Sequence, residues 1–291
     1  MSPGHVSHGL EARVEEAWAN RPEVAGATEP EVGALRQLAK ELLGALERGE
    51  VRAASRHDGA WRVHAWVKRG ILLAFRTGRI VQMQRAGALT FTDKDLLAPR
   101  EASTLPEGVR LVPGGSSVRA GACISRGVTL MPPCYVNVGA FVGESSMVDS
   151  HALVGSCAQI GARVHLSAAA QIGGVLEPVG DLPVIIEDDV FVGGNVGVFE
   201  GVLVRERSVL AAGVVLTRSS AVADLVTGTI HRANEQGVLE IPAGSVVVPG
   251  SRSLPGEFAR EHGLAISTPI ILKHRSESTD ARVALESALR S

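Results

Sequence analysis

The run Met147-Val148-Asp149-Ser150-His151-Ala152-Leu153-Val154-Gly155-Ser156-Cys157-Ala158-Gln159-Ile160-Gly161 carries a branched aliphatic residue at Val148, Val154 and Ile160, six positions apart. The count extends in both directions. Val118, Ile124, Leu130, Val136, Val142, Val148, Val154, Ile160, Leu166 and Ile172 keep it unbroken, and after a step of fourteen Ile186, Val192, Val198, Val204, Leu210, Leu216 and Val222 resume it. A period of six fits neither the 3.6-residue helix nor the simple alternation of a lone strand. It fits a β-solenoid, in which each hexad is a short strand plus a corner and every sixth side chain enters a core shared by successive coils. Gly143, Gly155, Gly161, Gly173 and Gly193 directly follow their aliphatic residue and are read as corner residues, with Ala or Ser in many other corner slots. The hand of the coil does not follow from spacing, because ordinary parallel crossovers are right-handed.

Composition suits a thin solenoid. Of 291 residues 33 are Gly, 45% are apolar and only 3% are aromatic, so small aliphatic side chains must fill the core. A net charge of -2 gives no electrostatic case for nucleic acid or an anionic membrane. No apolar run approaches the ~20 residues that span a bilayer, and the N-terminus lacks a signal-peptide apolar region. A soluble cytoplasmic chain is therefore expected. Cys123, Cys134 and Cys157 form no CxxC pair and are read as buried reduced thiols.

Outside the repeat the periods change. Leu10 to Ala19 reads as a short helix. From Glu29 onward Val32, Leu35, Leu38, Leu42, Leu43 and Leu46 recur at helical steps. Trp61 to Arg76 is read as mainly helical, with Lys68 and Arg69 on a solvated face, although these charges could instead touch an acidic ligand. This gives an N-terminal helical domain over 1–105 and a coil over 106–226. The fourteen-residue step leaves eight residues beyond one hexad, expected as an external loop within 173–185 that marks one edge of the functional surface. Residues 227–291 are expected as a small C-terminal segment: strands around Thr227–Ile241, Ile241–Gly250 and Pro269–Lys273, then a helix over Thr279–Leu289.

The Met147–Gly161 run, with Val164-His165-Leu166-Ser167 and Ile172-Gly173-Gly174-Val175-Leu176-Glu177-Pro178, resembles the tetrahydrodipicolinate N-succinyltransferase family. Gly108-Val109-Arg110-Leu111-Val112-Pro113, Val136-Asn137-Val138-Gly139-Ala140, Glu200-Gly201 and Ile241-Pro242-Ala243-Gly244-Ser245-Val246-Val247-Val248 extend the resemblance over most of the chain. It implies a left-handed parallel β-helix with an N-terminal α-helical domain and a small C-terminal β/α segment. It also implies a homotrimer with active sites between subunits, transferring a succinyl group from succinyl-CoA to the amine of the opened form of tetrahydrodipicolinate in lysine and diaminopimelate biosynthesis. Succinyl-CoA is then a co-substrate, and no cofactor stays bound.

Amide formation from a thioester needs a neutral amine, a base for its proton, and donors for the oxyanion. The resemblance puts Asp149 in the substrate and base position, Arg110 on a substrate carboxylate, and Met147, His151 and Ser156 beside the substrate. Gly174, Ala212, Gly213 and Lys273 are assigned to the CoA. Arg110 suits a dicarboxylate because its planar fork donates twice. Lys273 and Arg252 are equally readable as solvated charges at strand ends. Two positions depart from the family, whose commoner form carries an aromatic residue two positions after the Asp, here His151, and a Glu three residues before the Glu-Gly pair, here Gly197. Glu200 replaces that Glu, Asp149 acts alone, or the substrate differs; His151 is read as a structural or substrate-contacting residue, with a base near neutral pH as the alternative. His165 matches the family as a packing or hydrogen-bonding residue. Alternatives are an acetyl-CoA-dependent N-acyltransferase on the same or a related amino-dicarboxylate, and a non-catalytic hexapeptide-repeat scaffold. A metal-dependent hydratase would need three converging histidines, and the repeat holds only His151 and His165, so no metal is expected.

Overall fold

In the coil, each inward aliphatic residue ends a two-residue strand and the next hexad turns onto a new face. The computed structural model of the chain describes residues 3–20, 28–84 and 90–276. Strands such as Leu153–Val154, Gln159–Ile160 and His165–Leu166 lie in turn on a first, second and third face. Pairing is parallel, and the partner stands eighteen residues away: Phe141 pairs with Cys123 below and Gln159 above. Val148, Val154, Ile160, Leu166, Ile172 and Ile186 have no exposed surface and share one core running the length of the coil. Each contributes about 1.5–3 kcal/mol of burial.

The corners correct one expectation. The left-handed backbone falls on the third residue after the aliphatic one, and Ser145, His151, Cys157, Arg163 and Ala169 adopt φ of 55 to 66°. The glycine directly after the aliphatic residue serves a different purpose. A Cβ on Gly155 would stand 2.2 Å from the nitrogen of Gly174 in the next coil, so these glycines permit close stacking of coils.

Two excursions leave the coil without breaking its phase. Gln159 pairs with Ile185, 26 residues on, so the 173–185 loop holds eight extra residues. Leu203 pairs with Glu240, 37 residues on, an excess of nineteen. Val222, in phase by sequence, is buried but belongs to this second excursion. Its strand Val222–Asp224 pairs with Thr229–His231 and Ile270–His274 instead. Ile241 and Val247 take the next two inward positions, opposite Val204 and Leu210. The coil thus continues past residue 226, and the third face grows to ten strands.

Ahead of the coil, helices α1 (Pro3–Ala19), α2 (Glu29–Glu47) and α3 (Ala65–Thr77) bury Leu38, Leu42, Leu46 and Ile71 in one cluster with Val138 and Cys157 of the coil. Gly139, at φ 74°, lets Ile71 seat: a Cβ there would meet Ile71 Cδ1 at 2.8 Å. The stretch read as one helix from Trp61 begins as a strand. Asp58 and Gly59, both at positive φ, turn Ala54–His57 back onto Ala60–Val63. Lys68 is not on a solvated face: it has no exposed surface, and its Nζ donates to the carbonyl of Asp181 at 2.6 Å. Arg69 pairs with Glu15. The three cysteines are buried and free, and burial pushes the Cys157 thiol up to about 12. The helix expected over Thr279–Leu289 lies outside the described residues.

Asp224 closes the hairpin of the second excursion. Burial opposes its ionisation, yet hydrogen bonds from His231, Thr227 and Val226 outweigh burial and hold the carboxyl at about 2. A depressed carboxyl stabilises the fold fully above its unfolded pKa, near 3.9, and loses that contribution as pH falls toward 2. The thermal midpoint of the Asp224→Asn protein is therefore expected to change less between pH 4.5 and pH 2.5 than that of the wild type. Parallel curves for the two proteins would contradict this.

Candidate active site

The eighteen-residue register sorts the predicted residues into two groups on different edges of the prism. The outward residues of the third face form a ladder. Arg110 pairs with Thr129, Thr129 with Met147, Met147 with His165, and His165 with Phe191. At ~4.8 Å per strand, Arg110 stands roughly 10 Å from Met147 on one surface. Farther along the same ladder, Val209 pairs with Val246, and Val246 with the exposed Lys273.

Asp149 leaves this ladder at the corner between the third and first faces. Its Oδ1 accepts the N–H of Ser150 at 2.8 Å, and Oδ2 stands 4.0 Å from Nε2 of His165. The Asp149 side chain is 20% exposed and His165 is 10% exposed, so the carboxylate is only partly wetted and an imidazole stands behind it. Phe191 packs edge-on against His165 with ring centres 4.9 Å apart, which fixes the imidazole plane. His151 follows at φ 62°, exposed, its N–H donated to the carbonyl of Pro133. Ala212 and Gly213 occupy the same corner three coils farther along, in the columns of Ser150 and His151.

The second group occupies the corner between the first and second faces. Ser156, Gly174, Glu200 and Arg218 hold the same register position in four successive coils. Glu200 is exposed, and its carbonyl accepts the N–H of Arg218 at 3.1 Å. A side of the prism separates Glu200 from Asp149. One hexad at ~3.3 Å per residue spans up to roughly 20 Å, beyond hydrogen-bond reach. The structure thus gathers Arg110, Met147, Asp149, His151, Ala212, Gly213 and Lys273 along one face and corner, and leaves Ser156, Gly174 and Glu200 apart from them. Arg252 lies exposed on a strand, Ser251–Ser253, paired outside the coil.

Gly197 has a visible reason to be glycine. The Phe199 ring lies over it, and a Cβ would meet Cε2 at 2.6 Å and Cζ at 3.1 Å. Phe199 fills the space that a side chain at 197 would need. Phe191, Phe199 and Arg218 went unnoticed in the sequence. Adding 26 across the loop to His165, or eighteen to Glu200, would have found Phe191 and Arg218; Phe199 stacks on the corner glycine Gly173 and carries no such signal.

A cavity of about 660 Å³ lies elsewhere, between Arg52 and Trp61 of the N-terminal part and Glu187 and Glu206 of the coil. None of the predicted site residues lines it. Among the described residues no three His, Cys, Asp or Glu side chains are grouped to hold a metal, and no helix is long and apolar enough to cross a membrane.

The stacked hexads define a parallel β-helix of the hexapeptide-repeat class. Residues 183–218 match the family model described as the hexapeptide repeat of succinyl-transferase, and residues 9–77 match that of the tetrahydrodipicolinate N-succinyltransferase N-terminal part. The chain is 40% identical over 290 residues to a 2,3,4,5-tetrahydropyridine-2,6-dicarboxylate N-succinyltransferase of Polynucleobacter asymbioticus, covering 98% of this chain and 100% of that one. Proteins of the same name from Acinetobacter baylyi (40%) and Rhodopseudomonas palustris (41%) each match over 97% of this chain and 98% of their own. The chain belongs to the tetrahydrodipicolinate N-succinyltransferase family.

If Phe199 is what excludes a side chain at position 197, Gly197→Glu should lower the thermal midpoint by several degrees. Adding Phe199→Ala should recover much of that loss. A Gly197→Glu protein as stable as the wild type would show that the ring moves aside freely.

Proposed function

We propose that the chain transfers a succinyl group from succinyl-CoA to the amine of the opened, acyclic form of tetrahydrodipicolinate. The observation that carries this reading is the placement of Arg110 and Asp149 on one face and its corner, two strands apart, with a buried imidazole behind the carboxylate. That spacing suits an amino-dicarboxylate held by one carboxylate at Arg110 while its amine meets Asp149.

The amine nitrogen attacks the thioester carbonyl, forming the C–N bond. The tetrahedral oxyanion collapses with loss of the CoA thiolate, and the proton leaving nitrogen passes to a base while the thiolate is protonated. Asp149 takes the amine proton, or holds the ammonium until it is lost, and His165 orders the carboxylate from behind. Backbone N–H groups of the opposite corner, around Ser156 and Gly174, supply oxyanion donors. The pantetheine arm runs along the outside of the coils, past Ala212 and Gly213, toward Lys273.

Such a site needs both corners, and a single coil keeps them a full side apart. We therefore propose a homotrimer in which the corner bearing Asp149 faces the Ser156 and Glu200 corner of the next copy. A head-to-tail contact of this kind, repeated around a three-fold axis, closes into a ring with three equal sites. Glu200, on the facing corner, stands in for the carboxylate missing at Gly197.

The purified protein should release CoA faster from succinyl-CoA than from acetyl-CoA with the dicarboxylate acceptor. Asp149→Ala should lower kcat about 100-fold or more, and Arg110→Ala should raise the acceptor KM about tenfold or more. Faster turnover with acetyl-CoA would transfer the assignment to the acetyl donor. Unchanged turnover in Asp149→Ala would remove the proposed base.

A further inference from the structure

The 173–185 loop is tied down at one residue from two directions. On one side, the fully buried Lys68 of α3 donates from Nζ to the backbone carbonyl of Asp181 at 2.6 Å. On the other, Arg218 Nη2 meets Asp181 Oδ2 at 2.5 Å. Arg218 belongs to the same corner column as Glu200, and its own N–H is donated to the Glu200 carbonyl. Its side chain crosses Gly201, at φ 73°, where a Cβ would come 2.7 Å from Nε. That Nε is buried with no hydrogen-bond partner. The loop also leaves the coil at this corner, with the N–H of Val175 donated to the carbonyl of Ser156 at 3.0 Å.

A buried lysine is a poor way to gain stability. Burial disfavours its charge, although the neighbouring Asp181 and Cys157 work in the opposite sense. An apolar residue of similar volume would fill the same space without that penalty. A buried cation aimed at one carbonyl, and a guanidinium left with an unmet donor to reach one carboxylate, give something else: a fixed location for Asp181.

We propose that Lys68 and Arg218 are positioning residues. They clamp Asp181 so that the 173–185 loop forms a fixed wall beside the corner bearing Ser156 and Glu200, and substrate is bound against that wall. The link to catalysis rests on the activity proposed above; the clamp itself does not.

Both halves are read in one set of variants: Arg218→Gln, Asp181→Asn, their double, Arg218→Lys and Lys68→Met. Hydrogen exchange followed by mass spectrometry should show loop amides exchanging about tenfold faster in Arg218→Gln and Asp181→Asn, with the coil strands unchanged. Steady-state kinetics should show KM for acceptor or acyl-CoA raised about tenfold with kcat within about threefold, and partial rescue by Arg218→Lys. The double variant should be no worse than either single one, because both remove the same link. Lys68→Met should loosen the loop in the same way while Asp181 and Arg218 are intact. Unchanged loop exchange in the folded Arg218→Gln and Asp181→Asn proteins overturns the clamp. Faster exchange with unaltered KM overturns its connection to substrate. A wild-type protein that transfers no succinyl group would defeat the proposed activity, and the exchange arm would then decide the clamp alone.

Discussion

Every surface feature of this protein depends on one constraint: an inward aliphatic side chain must return every sixth residue, so each face repeats every eighteenth. The inward residues are all buried, and a slip of one position would carry a polar neighbour into a core with no partner for it. Insertions are therefore accepted only when they leave the coil and re-enter it in phase. The eight-residue excess at 173–185 and the nineteen-residue excess before Leu239 both do so. Because the register survives them, residues far apart in sequence stack in columns, and chemistry is organised by column.

The same constraint divides the chemistry. Strands two residues long leave the corners as the places where side chains escape the packing, and a triangular coil keeps its corners a side apart. Arg110, Asp149 and His165 share one face and edge; Ser156, Glu200 and Arg218 share another. On the proposed mechanism a single copy carries two half-sites, which is the physical case for the proposed assembly. The N-terminal helices add a further tie, because they dock through Gly139 and Val138 on the lower coils and reach the loop through Lys68.

Much of this could be read from the residues. Periodicity alone gave the prism, its core and the size of the first excursion, because an uninterrupted phase is a property of spacing. Val222 does reach the shared core as the count requires, but its strand pairs with Ile270–His274 in place of the next coil strand, and Ile241 and Val247 take the next register positions. Spacing could not distinguish a glycine needed for positive φ from one needed for close stacking, since both leave the same letter. Lys68 was misjudged because its partner is a backbone carbonyl 113 positions away, which no local charge pattern reveals. The assignment of Asp149 and Arg110 as candidate site residues came from resemblance. Their sharing a face, and Glu200 standing on another edge, became visible only once columns could be counted.

The central claim, two half-sites completed by a neighbouring copy, is tested most directly by mixing inactive chains. Asp149→Ala and Glu200→Ala proteins, each inactivated at one corner, would be unfolded together and refolded as mixed assemblies. Random trimers formed from equal amounts should regain about a quarter of wild-type turnover, because one site in four then joins an intact corner of each kind. Turnover no greater than that of the two parent proteins, or full activity in a chain that remains a monomer, would contradict the account.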